Sequence, residues 1–255
     1  MQMTVSRNLT ADEVFFIFKE EHRLCSPLDT EADMSFDLKQ TSTIDEWRDA
    51  RNLLKWKELA KVYNTEFGIQ ISEEEWEQAF EPGEQRTIMD VCNLISSQAQ
   101  VQIIRPIKWL GATCLSASLF KSITKHLESR GIDISKLFPS SEIEPILKKN
   151  FGEFFMHINK NFTGVIPEIK VHRAPHVKLT TYLGLLSITS LLGSIFWDGL
   201  TIVSVVAFLA AIVSEYFYSR QFDKQDGMLT IPGIVTFRDL VQRIIDVKYT
   251  SYKKL

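Results

Sequence analysis

The sequence lacks the short motifs by which many enzymes are recognised. It contains no G-x-G-x-x-G, no G-x-x-x-x-G-K-[S/T] and no G-x-S-x-G, so it shows neither a nucleotide-binding loop nor a nucleophile elbow. Its five histidines are scattered and include no H-E-x-x-H pair. Carboxylate pairs occur only in charge runs typical of exposed surfaces. We therefore expect no enzymatic activity, no bound metal and no cofactor.

Cysteine is scarce and isolated. The three cysteines, Cys25, Cys92 and Cys114, form no C-x-x-C motif, which favours reduced, buried thiols in a cytoplasmic setting. His172 and His176 lie four residues apart, as metal ligands do on a helix, but a proline between them argues against a helix there. We interpret these two histidines as solvated side chains.

Two long runs in the C-terminal half have almost no charge. Leu179–Trp197 has no charged residue, Leu200–Phe217 has one, and the two meet at Asp198-Gly199. A helix rises ~1.5 Å per residue, so each run matches the ~30 Å hydrocarbon core of a bilayer. We predict a two-helix transmembrane hairpin, with a buried helical pair in a soluble core as the alternative. Small residues at helical spacing along both runs would allow a homo-oligomer to form through the hairpin.

The flanks of the hairpin predict its orientation. Arg173 and Lys178 precede the first run, Arg220 and Lys224 follow the second, and the connecting turn carries only Asp198. Positive residues stay on the cytoplasmic side of a membrane. We therefore expect an inner-membrane protein with two spans, both termini cytoplasmic, and the bilayer as a partner. The N-terminus has no apolar stretch long enough for a signal peptide.

Charge is divided unevenly along the chain. Residues 1–100 carry 10 Lys and Arg against 20 Asp and Glu, whereas residues 101–255 carry 19 against 12. The basic part contains the predicted membrane segment and would lie against an anionic leaflet, with the acidic part directed away from it. No basic cluster alternates with aromatic residues, so we expect no nucleic-acid partner.

Helix signals dominate the first hundred residues. Thr10 and Glu13 form a capping-box pattern that predicts the start of a helix. A second helix is predicted over 47–66, a short acidic helix after Ser72 and a last helix from Thr87. The sequence therefore predicts a mainly α protein.

The segment 52–95 resembles an acyl carrier protein from its second helix to its end. Three features carry the resemblance: the Glu-Leu pair at 58–59, the Glu-Phe-Gly-Ile run at 66–69 and the Thr-Ile-Met-Asp-Val run at 87–91. The resemblance implies a helical bundle that recognises partner proteins through an acidic helix and its neighbouring loop. The alternative is an unrelated small helical bundle that shares the turn.

In the same alignment, the serine that the chemistry of the carrier family requires is missing. The family's Asp-Ser-Leu falls on Asn52-Leu53-Leu54, so Leu53 stands where the resemblance places the serine that carries phosphopantetheine. A leucine cannot form the phosphodiester. The resemblance therefore implies a degenerate carrier-like bundle without the cofactor.

A weak internal repeat is predicted in the rest of the chain. Asn159–Ile169 echoes Asn64–Ser72, and the Thr-Phe-Arg-Asp-Leu-Val run from Thr236 parallels the run at 87–91. The corresponding alignment places Lys148 at the serine position. A second carrier-like copy is therefore expected to be inactive as well, with the hairpin inserted before its final helix.

Four segments follow from these patterns. They are an acidic carrier-like helical bundle over 1–100, a linker helix and the first part of a second helical unit over 101–177, the transmembrane hairpin over 178–219, and the last helix of the second unit within 220–255. The apolar stretch 103–120 is too short to span a bilayer and is interpreted as a buried or interfacial helix. Residues 142–161 are predicted to form one kinked helix or two short helices that meet at Asn150, and Thr236 is predicted to cap the last helix.

One charge run is a candidate docking site. Glu73, Glu74, Glu75 and Glu77 would present an acidic surface to a basic partner, although such a run is also typical of a solvated face. The predicted function is a non-enzymatic, membrane-anchored adaptor that docks a cytoplasmic protein partner. Two alternatives stay open: a membrane-active effector or channel-like component assembling through the hairpin, and an unmodified accessory protein of acyl or lipid metabolism.

Overall fold

The structure, a computed structural model, describes residues 5–172 and 228–249, apart from 30, 52, 54, 110 and 111. Within these residues it has eight α-helices and six short β-strands. The helices are Ala11–Cys25 (α1), Ile44–Arg51 (α2), Trp56–Phe67 (α3), Glu73–Phe80 (α4), Ile88–Ser96 (α5), Leu115–Ser129 (α6), Glu144–Phe162 (α7) and Phe237–Lys248 (α8). The strands are Val5–Asn8 (β1), Gln100–Ile103 (β2), Ile107–Trp109 (β3), Ala112–Cys114 (β4), Lys170–His172 (β5) and Met228–Thr230 (β6).

The prediction of a transmembrane hairpin is contradicted. Among the described residues, no helix combines the length and the apolar character needed to cross a membrane. Leu179–Tyr218, where the sequence placed the hairpin, lies outside the described residues. The prediction rested on the length and hydropathy of two runs, and these properties alone do not distinguish a membrane span from a buried helix. The inner-membrane localisation and the two spans are therefore not supported, and the supported class is a mainly helical protein.

Chain contacts divide the protein into two units. The first contains the residues up to Lys170 together with those from Thr230 onward, and the second is Val171–Leu229. Only the two ends of the second unit are described, within β5 and β6, which pair with each other. All eight described helices belong to the first unit.

The first half of this unit is built around α1. Its predicted capping box is confirmed, because the Thr10 hydroxyl accepts from the Glu13 N–H and the Glu13 carboxylate accepts from the Thr10 N–H. Phe18, on the buried face of α1, packs against Trp47 and Tyr63 with ring centroids 5.4 and 5.2 Å apart. Antiparallel pairing of β1 with β2 closes this half, since β2 follows α5.

The single helix predicted over 47–66 is broken in the structure. Helix α2 ends at Arg51 and α3 begins at Trp56. Helix α3 ends as the sequence predicts, because Gly68 adopts a left-handed conformation (φ +66°) and its N–H donates to the Asn64 carbonyl.

Two reciprocal backbone hydrogen bonds hold the starts of α2 and α5 side by side. The Ile44 N–H donates to the Arg86 carbonyl at 2.9 Å, and the Ile88 N–H donates to the Ser42 carbonyl at 3.0 Å. Both helices therefore begin at one short antiparallel bridge, which satisfies donors that a helix N-terminus otherwise leaves unpaired.

The second half repeats this arrangement with α7 and α8. The Ile143 N–H donates to the Val235 carbonyl at 2.9 Å, and the Phe237 N–H donates to the Ser141 carbonyl at 3.1 Å. Thr236 begins α8 with a complete capping box, as its sequence pattern predicts. Helix α8 packs against α6, and its Phe237 ring contacts Phe120 of α6 and Phe154 of α7, although both helices are distant in sequence.

Two elements of the second half differ from regular helices. The helix predicted over 103–120 begins only at Leu115, because β3 and β4 form a short antiparallel hairpin before α6. Helix α7 is kinked at Asn150, which agrees with the prediction of one kinked helix or two short helices over 142–161. The two halves are tied together by the Asn159 side-chain amide, which donates to the Ile17 carbonyl of α1 at 3.0 Å.

We predict that Phe237→Ala lowers the free energy of unfolding by about 3–5 kcal/mol, because this fully buried ring packs against Phe120 and Phe154 and its removal leaves a cavity. Urea titration of the full-length protein measures the change. Val235→Ala, at an exposed position two residues earlier, is the control and should cost less than about 0.5 kcal/mol. Equal costs for the two variants would show that α8 does not pack as described.

Candidate functional site

The four carboxylates predicted as a docking site share one exposed surface on α4. We call Glu73, Glu74, Glu75 and Glu77 the acidic face, and all four are exposed. The opposite side of α4 is buried through Trp76, Ala79 and Phe80. The helix therefore presents its carboxylates to solvent from a fixed base.

Two members of the acidic face take part in local structure. The Glu75 carboxylate accepts from the N–H and hydroxyl of Ser72, and these hydrogen bonds lower the pKa of Glu75. Glu73 forms an ion pair with Lys57 of α3, which lowers the pKa of Glu73. Glu74 and Glu77 make no hydrogen bond or ion pair of their side chains within the described chain. They are therefore the carboxylates most accessible to a partner.

Helix α4 is anchored by a polar contact as well as by packing. The Trp76 indole N–H donates to Asn64 Oδ1 at 3.2 Å, and the Asn64 amide donates to the Ile71 carbonyl at 3.0 Å. The Trp76 ring also lies 6.1 Å from Tyr63 and 5.7 Å from Phe80, centroid to centroid. These contacts restrain the orientation of the acidic face relative to the core.

The positions that the carrier resemblance assigns to the modified serine differ in environment. Leu53 is partly buried against the hydrophobic core, between α2 and α3. Lys148 is exposed on α7. Neither side chain has the hydroxyl that phosphopantetheine attachment requires. The membrane-flank cations of the sequence prediction, Arg173, Lys178, Arg220 and Lys224, lie outside the described residues.

Two neighbouring cavities lie around α6 and α7. The first, which we call the α7 cavity, has a volume of about 480 Å³ and is lined by residues that include Glu66, Arg130, Glu153 and Lys160. The second, the α6 cleft, has a volume of about 510 Å³ and is lined by residues from β2, the following turn and α6. Both have the size of small-molecule sites.

A stacked histidine pair lies in the wall that the two cavities share. The rings of His126 on α6 and His157 on α7 have centroids 3.8 Å apart and planes inclined by 16°. The Nε2 atom of each ring is buried and has no hydrogen-bond partner in the described chain. Burying a ring nitrogen without a hydrogen-bond partner costs free energy, so the two Nε2 atoms destabilise this wall locally.

The protonation state of His157 follows from its neighbours. The Asn161 amide nitrogen donates to the His157 carbonyl at 2.9 Å and contacts Nδ1 at 3.3 Å, so Nδ1 acts as the acceptor. The single proton of the neutral ring therefore resides on Nε2. Burial, with further lowering by His126 and Lys160, reduces the pKa of His157 to about 3.

The α7 cavity also contains a carboxyl and an amine with shifted pKa values. Burial raises the pKa of Glu66 to about 8, with a contribution from the neighbouring Glu21. Burial lowers the pKa of Lys160 to about 8, with a contribution from Arg130. Lys160 Nζ donates to the carbonyls of Glu66 and Phe67 at 3.3 and 2.8 Å, so it caps the C-terminal end of α3.

Shifted pKa values in a cavity can indicate proton-transfer chemistry, but structural groups show them as well. In this cavity Lys160 has a structural partner, and Arg130 is paired with Glu153 at 3.1 Å. Within the described residues, no serine, threonine or cysteine side chain is hydrogen-bonded to His126 or His157. The arrangement therefore lacks the nucleophile-base contact of covalent catalysis.

One serine-histidine pair does occur elsewhere, at the C-terminal end of α1. Ser26 Oγ lies 3.0 Å from His22 Nδ1, and His22 Nε2 lies 2.9 Å from the Phe36 carbonyl. Ser26 is only 3% exposed. The pair connects the end of α1 to the following loop, and its buried hydroxyl is poorly placed to reach a substrate.

Metal binding has no support in the described part of the chain, where no group of three or more His, Cys, Asp or Glu side chains could hold an ion. His172 lies in β5, and its sequence partner His176 is outside the described residues. The stacked rings of His126 and His157 do not converge on a common point as metal ligands must.

Sequence reasoning did not find the histidine pair. His126 and His157 belong to different helices, and the residues around each carry no local motif. Their contact depends on how α6 packs against α7, which no sequence spacing encodes.

Comparison with known proteins found no matching family model, no matching curated protein and no matching solved structure. The resemblance to acyl carrier proteins therefore stays a prediction from the residues that carry it.

We predict that acidification destabilises the protein through His157. Its pKa is about 3 in the folded chain against 6.5 for an ordinary histidine, so between these values the unfolded chain binds a proton that the folded chain excludes. Stability therefore falls as the pH drops through this window, by up to about 1.4 kcal/mol per pH unit. Between pH 6.5 and 5, urea titration should show a loss of about 1.6 kcal/mol from this side chain.

The variant His157→Phe tests the cause, because it keeps a ring against His126 and removes the titrating group. Its stability should decline less steeply with acidification than that of the wild type. Lys148→Gln, at an exposed position on the same helix, should leave the slope unchanged. Parallel pH curves for the wild type and His157→Phe would contradict a buried neutral histidine.

Proposed function

We propose that the first unit is a non-enzymatic docking module that binds a partner protein through the acidic face of α4. The observation that carries the proposal is that α4 presents exposed carboxylates from a helix whose other side is locked into the core by Trp76. Rigid presentation reduces the conformational entropy lost on binding. The partner surface would be basic, since opposite charge promotes association and selects orientation.

The distribution of charge supports this role. Residues 1–100 carry twice as many acidic as basic side chains, and a net negative charge would accelerate encounter with a basic partner. The carrier resemblance points in the same direction, because that family docks partners through acidic helices. Leu53 replaces the modified serine, so the proposed module would keep docking and lose cargo attachment.

The acidic face divides into two kinds of residue. Glu75 is needed for the capping box, and Glu73 is engaged by Lys57. The proposal therefore assigns direct contact with the partner to Glu74 and Glu77. This assignment allows the docking surface to be altered without loosening the helix.

The double variant Glu74→Lys, Glu77→Lys tests the proposal. We expect the full-length wild type to co-purify with a stoichiometric partner whose recovery declines with salt, and the double variant to lose it. Removing and reversing two charges at an electrostatic interface should weaken binding by at least about tenfold. Quantitative cross-linking and mass spectrometry of the purified complex measure recovery.

The matched control is Asp49→Lys, Glu128→Lys, which makes the same change in net charge at exposed positions on α2 and α6. It should retain the partner. Loss of the partner in both double variants would indicate a response to net charge alone. If both double variants retained the partner, the acidic face would have no part in the interaction.

A further inference from the structure

The α6 cleft gathers positive charge without acidic neighbours. Arg105 follows β2, and Lys121 and Lys125 lie one turn apart on α6, with all three lining the cleft. No Asp or Glu of the described chain lines it. The α7 cavity is different, because Glu66 and Glu153 accompany its cations.

The three cations of the cleft lack protein partners. Their side chains make no ion pair or hydrogen bond within the described residues, whereas eight ion pairs engage other cations there. Lys121 and Lys125 have like charges at i,i+4 spacing, which destabilises a helix slightly. A concave surface with unneutralised cations concentrates anions from solution.

The cleft also offers neutral groups beside its charges. Ser122 places a hydroxyl on its wall, and the orphaned Nε2 atoms of His126 and His157 lie behind that wall. Ile103, which is 40% exposed, and Ile104 add an apolar edge. Ligand sites combine a few convergent polar groups with apolar lining in this way.

The cleft is braced by a hydrogen-bonded serine. The Ser118 hydroxyl accepts from the Ile107 N–H at 2.8 Å and donates to the Cys114 carbonyl at 3.1 Å. Ser118 is buried and connects the β3–β4 hairpin to the first turns of α6. This contact therefore fixes the start of the hairpin, two residues after Arg105, against α6.

We propose that the α6 cleft binds the phosphate group of a small organic phosphate. Arg105, Lys121 and Lys125 contact the phosphate oxygens, with Ser122 as a neutral donor. Arginine supplies the paired donors that match phosphate oxygens, and lysine adds compact positive charge. Ile103 and Ile104 contact the apolar part of the molecule.

The dimensions of the cleft favour a small molecule over a polymer. About 510 Å³ lies within the range of small-ligand sites. A nucleic acid strand would need cations extending along a surface and large aromatic side chains for base stacking, and no Phe, Tyr or Trp lines the cleft among the described residues. No residue of α4 lines the cleft, so this proposal does not rest on the proposed docking role.

Calorimetric titration of the full-length protein tests the proposal with phenyl phosphate, inorganic phosphate and phenol. We expect phenyl phosphate to bind more tightly than inorganic phosphate, because it also contacts the isoleucines, and phenol not to bind measurably. The variant Lys121→Gln, Lys125→Gln should weaken phenyl phosphate binding by at least about tenfold, since two charge-assisted contacts are removed.

The matched control is Lys136→Gln, Lys148→Gln, which removes two exposed charges away from the cleft. It should bind phenyl phosphate as the wild type does. The site would be disproved by absent binding at about 10 mM phenyl phosphate, by equal weakening in both double variants, or by a single-stranded oligonucleotide that binds more tightly than phenyl phosphate. Unchanged thermal unfolding of the ligand-free variants confirms that folding is intact.

Discussion

The fold depends on reciprocal backbone hydrogen bonds that join the starts of two helices. They occur once between α2 and α5, through Ile44 and Ile88, and again between α7 and α8, through Ile143 and Phe237. Each bridge satisfies N–H groups at helix starts and sets the separation of the helices that follow. Side-chain oxygens of the capping boxes then accept hydrogen bonds from further N–H groups at these helix starts. The same local solution is therefore used twice in one compact unit.

Both proposed surfaces depend on this framework. In the first half, the core held by the α2–α5 bridge supports Trp76, and Trp76 supports the acidic face. In the second half, α8 packs against α6, and this packing holds in place the helix that carries Lys121 and Lys125. Partner docking and anion binding would thus use different surfaces of the first unit.

Local signals predicted local structure well. Three features could be predicted because each depends on residues close in sequence. They are the capping patterns at Thr10 and Thr236 and the kink in α7 at Asn150. Features that depend on tertiary contacts were missed. The helix predicted over 47–66 is divided where Leu53 packs on the core, and part of 103–120 is a β-hairpin held by Ser118.

The predicted functional surfaces show the same limit. The acidic face was visible as a charge run on one amphipathic helix, whereas the α6 cleft assembles residues from β2, a turn and α6. The membrane hairpin was inferred from hydropathy over 179–218, outside the described residues, and no described helix supports it.

The central claim is that α8 closes the second half of the first unit. Native-state amide hydrogen exchange tests it most directly: Leu240, Val241 and Ile244 of α8 should exchange with the same opening free energy as Leu119 and Ile123 of α6, and rapid exchange in α8 beside protected amides in α6 would contradict it.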